Sequence, residues 1–340
     1  MRQLTYHGQR RLSVQEVPPR DLQPGEVRVR VDSTGVCTSD VYGYSGRNDR
    51  RDRVLGSGEV LVMGHEASGV VCELGPRVDG PSIGTPVAIN PIVGCGHCPH
   101  CIAGAENRCD ERTVMGCAPN APGGFADMMI APARNVVELP EGVSLELGAL
   151  VEPLSVGAHA VALAQPGADQ SVLVIGGGII GIGAALAARR RTDGLVLVLE
   201  PQVARRELCS RLGLHAMDPA AVLGGAISFD LALDCVARPE TISGAIRAVV
   251  TGGLVMLVGI WEDSVPLPVS DVVWRETRIA GSYGYSTADF ADVAEWLGRG
   301  EVDLTPIIER RVGFAEVIDT FDAYADGTET AVRTLLQPSR

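Results

Sequence analysis

The sequence predicts a two-part α/β protein: a β-rich, barrel-like first half followed by a doubly wound parallel sheet. Three observations lead there. In EVRVRVDSTGVC, Val27, Val29 and Val31 point one way and Arg28 and Arg30 the other, the period-two mark of a half-buried strand. From about Glu152 the texture changes to unbroken apolar runs, SVLVIGGG, GLVLVLE, FDLALDCV and GGLVMLVGI, as expected of strands covered on both faces. Between these runs lie helical stretches, IGAALAARRR, VARRELCSRLG and PETISGAIRAVV, and such strand–helix alternation builds a parallel sheet between helical layers.

Taken in order, the first half continues with PRVDGPSIGTPVAINP, where Pro and Gly mark the tight turns of a β domain. After about Tyr285 come two helical segments, TADFADVAEWLGRG and AEVIDTFDAYADG, and a short strand, AVRTLLQ. A length of 340 residues suits about two domains, and a 46% hydrophobic content allows large cores. The net charge is −13 with no basic stripe, so no nucleic-acid partner is expected. All 29 basic residues are Arg; without Lys, Schiff-base and lysine-base chemistry are excluded. MRQLTYHGQRR carries no apolar targeting run, and LVMLVGIW (Leu254 to Trp261) falls short of the ~18 residues of a membrane span. A cytoplasmic protein without membrane association is expected, with its thiols reduced.

SVLVIGGGIIGIGAALAARRRTDGLVLVLE contains Gly176-x-Gly178-x-x-Gly181 after a strand and at the start of a helix. In that context it is a dinucleotide fingerprint. Gly176 permits the tight turn, Gly178 lets backbone reach a pyrophosphate at the helix N-terminus, and Gly181 lets helix and strand pack closely. Ile180, in the same turn, belongs to the expected cofactor contacts. Glu200, nineteen residues past Gly181, is placed to accept hydrogen bonds from the adenosine ribose and to repel a 2′-phosphate, which favours NAD over NADP. Arg205 and Arg206 weigh the other way, since a nearby Arg can hold a 2′-phosphate.

Four of the nine cysteines lie in CGHCPHCIAGAENRC, spaced C-x2-C-x2-C-x7-C. The odd total and the reduced compartment argue against disulfides, and the x7 gap with no following Pro argues against a ferredoxin-type cluster. Cys95, Cys98, Cys101 and Cys109 instead suit a closed structural zinc site of four thiolates, with His97 and His100 left facing solvent. The remaining single cysteines, Cys72, Cys117, Cys209 and Cys235, are expected in the core.

GVCTSD (Gly35 to Asp40), GHEASG (Gly64 to Gly69), the four-Cys lobe, VEPLSVGAHA (Val151 to Ala160) and the later fingerprint follow one another as in zinc-dependent medium-chain dehydrogenases. The resemblance spans essentially the whole chain, and GHEASG with EPLSVG resembles the sorbitol and butanediol dehydrogenase branch. It implies a GroES-like catalytic domain at 1–150 with the zinc lobe at 94–110, a Rossmann domain at 151–284, and a return to the catalytic domain at 285–340. It implies two zinc ions per chain, the catalytic one drawing on Cys37, His65, Glu66 and Glu152. The residues leave open which glutamate ligates directly. A Cys/His/Glu set with an open position suits catalytic zinc, where an alcohol loses its proton near neutral pH. The resemblance gives Ser39 the role of passing that proton towards solvent, leaves Asp40 to the turn or the surroundings of the ligands, and places the nicotinamide amide on the backbone of Val258, Gly259 and Ile260. A homodimer or homotetramer is implied too.

The chain departs from sorbitol dehydrogenases at three substrate positions. Tyr42 and Gly43 stand where those enzymes carry His-Tyr, and Gly284 where they carry Arg. Losing such partners changes which hydroxyls a site accepts, so sorbitol itself is not expected. The loop Ser45 to Glu59 is longer and carries Arg47, Arg50, Arg51 and Arg53, offset by Asp49 and Asp52. The expected activity is NAD-dependent oxidation of a secondary alcohol (polyol, vicinal diol, cyclitol or amino-cyclitol) to a ketone. Its alternatives are an NADPH-dependent carbonyl reductase and a non-catalytic dinucleotide-binding protein.

Overall fold

The computed structural model describes residues 1–47, 59–222, 227–260 and 264–340. The chain divides into two compact units, Met1–Glu152 with Ser286–Arg340, and Pro153–Tyr285. The first unit is therefore discontinuous in sequence.

In the first unit, β1 (Arg2–Tyr6), β2 (Leu12–Glu16) and β4 (Leu61–Val62) form a small sheet ordered β2-β1-β4. A seven-stranded sheet carries the rest: β10 (Val136–Glu138), β6 (Pro86–Ile89), β5 (Glu66–Leu74), β3 (Glu26–Gly35), β18 (Arg333–Leu336) and β17 (Ile308–Val312), in that order, with β9 (Met128–Pro132) also on β3. Strand β3 is the spine, antiparallel to β5, β9 and β18. Val27, Val29 and Val31 are buried as their alternation predicts. Arg30 faces outward, but Arg28 on the same face does not: its side chain is 7% exposed. Arg28 is buried because its guanidinium has partners, Glu73 Oε2 at 2.6 Å and the Arg20 carbonyl at 2.7 Å.

The return segment completes this unit rather than decorating it. Phe314, Val317, Phe321 and Leu336 join Leu4, Tyr6, Leu61, Met63 and Phe125 in one core cluster. Phe321, on helix α9 (Val317–Asp326), meets Tyr44 and Phe125 edge-to-face at 5.5 and 5.9 Å. Helix α3 (Leu145–Gly148) holds Glu146, which accepts both Arg311 donors at 2.6 Å and a bond from Gln337 at 2.9 Å. TADFADVAEWLGRG forms α8 (Thr287–Gly298), opened by a Ser286–Asp289 capping box.

The second unit holds six parallel strands, β11 (Val172–Ile175), β12 (Val196–Leu199), β13 (His215–Met217), β14 (Phe229–Asp234), β15 (Val249–Leu257) and β16 (Arg278–Gly281). Their order, β13-β12-β11-β14-β15-β16, is the doubly wound 3-2-1-4-5-6 arrangement, reversing direction between β11 and β14. Helices α5 (Ile179–Arg189), α6 (Val203–Arg211) and α7 (Pro239–Ala248) connect them. The helical reading of PETISGAIRAVV overran its end: Val249 and Val250 begin β15, as β-branched residues favour. Among the described residues no helix is long and apolar enough to cross a membrane.

Candidate active site

The end of β3 and the start of β5 lie side by side, with Gly35 opposite Glu66. Cys37 follows as the N-cap of α1 (Thr38–Ser45), and His65 precedes Glu66. This brings the ligand atoms of Cys37, His65 and Glu66 within 4.8 Å of one another. His65 and Glu66 are buried and Cys37 is half-buried. A Cβ on Gly35 would run into Glu66 Oε2, so the close approach requires glycine there.

Glu66 is held from behind by Arg333, whose Nη1 donates to Glu66 Oε2 and to the Val36 carbonyl at 3.0 Å. Both members of this ion pair are essentially inaccessible to solvent. Burial works against the Arg333 charge, but Glu66, Cys37, Tyr324 and Glu152 together raise its pKa. The other carboxylate oxygen, Glu66 Oε1, is buried with no hydrogen-bond partner. An orphaned carboxylate oxygen beside a thiol and an imidazole fits a cation better than any neutral group. Glu152 is not part of the Cys37–His65–Glu66 grouping; the structure relates it to this site through its effect on Arg333.

The thiol of Cys37 is pushed up by burial and by Glu66, with His65 opposing. Burial disfavours charge on His65, yet Cys117, Asp40 and Cys37 carry its pKa well above the usual value. Two groups stand at its Nδ1: Cys117 Sγ at 3.4 Å and Asp40 Oδ1 at 3.6 Å. Cys117 was expected as core filling; instead it is half-buried against this imidazole. The buried Asp40 also accepts from the Cys37 amide through Oδ2 at 3.4 Å. Ser39 is exposed, its Oγ 3.3 Å from Cys37 Sγ. Arg47 stacks over Tyr42 at 5.8 Å, whereas Asp49, Arg50, Arg51, Asp52 and Arg53 lie outside the described residues.

The second cluster is the cysteine lobe. Strands β7 (Ile92–Val93) and β8 (Thr113–Val114) pair at its base, and the single-turn helix α2 (Pro99–Ile102) lies within it. The sulfurs of Cys95, Cys98, Cys101 and Cys109 all lie within 4.8 Å of one another. Backbone amides point at them: Cys98 N to Cys95 Sγ, Cys101 N to Cys98 Sγ (3.4 Å each) and Cys95 N to Cys109 Sγ (3.5 Å). Amides of His97 and Cys98 pull the Cys95 pKa down to about 6. The Gly96 amide favours the Cys101 thiolate, but desolvation and the three neighbouring sulfurs push its pKa up to about 12. Four sulfurs that resist sharing negative charge are what a cation would relieve. His97 and His100 are exposed, His97 Nδ1 lying 3.0 Å from the Cys95 carbonyl.

In the second unit the glycine fingerprint folds as a turn into α5. Gly176 has φ +104°, a Cβ on Gly181 would strike the Gly176 carbonyl, and the space beside Gly178 is open. Ile180 lies in the first turn of α5. Glu200, at the end of β12, is buried and already bonded: Oε2 accepts from Gly177 N at 2.8 Å and Oε1 from Gln202 N at 2.9 Å. Arg206 donates to the carbonyls of Glu200 and Pro201, while the Arg205 Nε is buried without a partner. Val258 is buried, Ile260 is half exposed, and the amides of Val258 and Gly259 both donate to the Asp234 carbonyl at 2.9 and 3.0 Å.

Residues 23–141 match the alcohol dehydrogenase GroES-like domain and residues 180–299 the zinc-binding dehydrogenase domain. A 2-dehydro-3-deoxy-L-galactonate 5-dehydrogenase from Pseudoalteromonas atlantica is 32% identical over 98% of this chain and 97% of its own. The chain belongs to the zinc-dependent medium-chain dehydrogenase family. An Arabidopsis thaliana sorbitol dehydrogenase is likewise 32% identical, over 93% of this chain and 90% of its own. A zinc-binding dehydrogenase from Sinorhizobium meliloti 1021, bound to NADP, superposes with a TM-score of 0.87 at 26% identity over 99% of both chains. This medium-chain dehydrogenase is thus a zinc-dependent alcohol oxidoreductase.

Two site residues escape a reading of the motifs. Arg333 sits in AVRTLLQ, where its charge inside an otherwise apolar strand was the available signal. Cys117 follows Gly116 in VMGCAPN and carries no spacing that pairs it with His65.

Proposed function

We propose that this dehydrogenase oxidises a secondary alcohol of a polyhydroxy compound to a ketone with NAD, using one catalytic and one structural zinc. The observation that carries the catalytic assignment is the Cys37–His65–Glu66 set, half-buried at the thiol and buried at the other two, with its orphaned Glu66 Oε1. Zinc held there supplies a Lewis acid that lowers the pKa of a bound alcohol. Glu66 offers one oxygen forward while Arg333 anchors the other. Glu152 is the reserve carboxylate, acting at a distance from the three. Ser39, exposed and 3.3 Å from Cys37 Sγ, takes the alcohol proton and hands it to solvent. A nicotinamide held at the backbone of Val258, Gly259 and Ile260 would supply the hydride acceptor for the carbinol carbon.

Cofactor contacts fall to the turn of Gly176, Gly178, Ile180 and Gly181, with Val258, Gly259 and Ile260 at the nicotinamide end. Glu200 supports NAD: its buried carboxylate follows β12, held by the amides of Gly177 and Gln202, where the acidic residue of the fingerprint meets the adenosine ribose and would repel a 2′-phosphate on it. A carboxylate-bearing sugar derivative belongs on the substrate panel beside neutral polyols and cyclitols, since the Pseudoalteromonas relative is named for such a substrate.

Metal analysis and cofactor kinetics test the reading. About two zinc ions per chain and a kcat/KM for NAD at least tenfold above that for NADP are expected. A preference for NADP would overturn the role given to Glu200, and one zinc or none would remove the two-site assignment.

A further inference from the structure

We infer that Cys117 is a positioning residue for His65, holding the imidazole from its Nδ1 side and so governing how firmly the metal is kept. The inference rests on the reading of His65 as a metal ligand.

A ligating imidazole has one remaining ring nitrogen, and the partner of that nitrogen fixes the ring's tautomer and orientation. Here two groups share that nitrogen: the Asp40 carboxylate, with Oδ1 at 3.6 Å, and Cys117. Asp40 also serves the Cys37 amide. Cys117 Sγ, at 3.4 Å, is at a normal N···S hydrogen-bond separation, and it accepts when Nδ1 carries the proton, as it does in an imidazole that ligates through the other nitrogen. The carboxylate supplies the stronger charge, and the sulfur packs against the same nitrogen and limits how far the ring can turn.

The placement of Cys117 is built into the backbone. Gly64 (φ +95°) precedes His65, and Gly116 (φ +78°) precedes Cys117. A Cβ on Gly116 would strike the Gly64 carbonyl and lie 3.0 Å from His65 N. Two glycines in contact thus press the Cys117 turn against the segment that carries His65 into β5. The turn is closed by Cys117 N to the Val114 carbonyl at 3.1 Å and Gly116 N to the Pro122 carbonyl at 2.7 Å. Gly124 N to the Gly64 carbonyl at 2.7 Å ties it down from the far side. Single-atom changes at position 117 should therefore be felt at His65 rather than absorbed by a moving loop.

The test follows zinc release from the holoenzyme to a coloured chelator, in wild type and in Cys117→Ala and Cys117→Ser. Cys37→Ser identifies the catalytic phase as the one it removes. Cys117→Ala is expected to speed that phase about tenfold, the lower end for loss of a group supporting a ligand, and to leave the lobe phase unchanged. Cys117→Ser, whose hydroxyl also accepts from Nδ1–H, should restore most of the difference. An unchanged catalytic phase in Cys117→Ala overturns the inference. So does equal acceleration of both phases in both variants, which marks general loosening. If wild type shows no phase that Cys37→Ser removes, the failure lies instead with the reading of Cys37, His65 and Glu66 as a metal site.

Discussion

The two sulfur-containing clusters of the first unit are put together in opposite ways. The lobe draws all four thiols from fifteen consecutive residues and stabilises them with its own backbone amides. The Cys37–His65–Glu66 pocket gathers groups from two strand ends, and its countercharge comes from Arg333, 267 positions beyond Glu66. One cluster is a local fold that lacks a core; Ile102 is 75% exposed, and the segment buries little besides Cys109 and Asn107. The other is a feature of a finished sheet. On the proposed two-zinc reading, the local cluster would need its metal in order to fold, whereas the assembled pocket has its fold already and would use its metal for chemistry.

Paired variants sharpen this contrast, beginning with the largest expected effect. Cys37→Ser should reduce turnover below detection and remove one zinc while leaving the melting temperature near that of wild type. Cys101→Ser should do the reverse. It removes the other zinc and lowers the melting temperature strongly, because lobes of this kind owe on the order of 10 kcal/mol of ordering to their metal. Zinc content, melting temperature and kcat of both proteins decide the matter. A Cys101→Ser enzyme that melts like wild type but turns over slowly would reverse the two assignments.

A smaller effect separates the pocket's fold from its metal. Arg333→Met leaves Glu66 buried and unpaired, at a cost of about 3–5 kcal/mol. A bound cation offsets part of that charge. The loss in unfolding free energy should therefore be larger in chelator-stripped protein than in holoenzyme. Equal losses in the two forms would show that Glu66 does not face the metal.

The smallest expected effect concerns the seam between α3 and the return segment. The bidentate bond from Arg311, helped by Gln337, holds the Glu146 carboxyl below its usual pKa. A depressed folded-state pKa contributes stability above the unfolded value of about 4.3, which is lost as pH falls through the folded one. Glu146→Gln should thus cost about 1 kcal/mol at neutral pH for this partly exposed pair, and almost nothing near pH 3. A cost that does not change between those pH values would mean that packing rather than charge is at work.

What the sequence discloses follows the same division. The middle of the parallel sheet was legible because β11, β12, β14 and β15 are apolar runs, whereas the edge strands β13 and β16 are partly exposed and carry no such run. The lobe was legible because its ligands are neighbours in the chain. The glycine turn was legible because three backbone requirements fall within six positions. Arg28 and Arg333 were not: burying a guanidinium depends on a partner from another strand, Glu73 in one case and Glu66 in the other. Nor was Cys117, since its nearness to His65 comes from a Gly64–Gly116 contact that no spacing records. The bonds that occupy Glu200 come likewise from the folded turn, through the amides of Gly177 and Gln202.

The discontinuity of the first unit also sets a timetable. At ribosomal rates of about 5–20 residues per second, the interval between Glu66 and Arg333 takes roughly 10 to 50 seconds to translate. During that time Pro153–Tyr285 emerges whole, while Cys37, His65 and Glu66 still await their cation. Until then Glu66 lacks the guanidinium that neutralises it, and a divalent cation would meet one more uncompensated negative charge there. Arg333→Met and wild type, refolded with limiting zinc and compared for the metal they retain, would show whether the unneutralised carboxylate captures the ion.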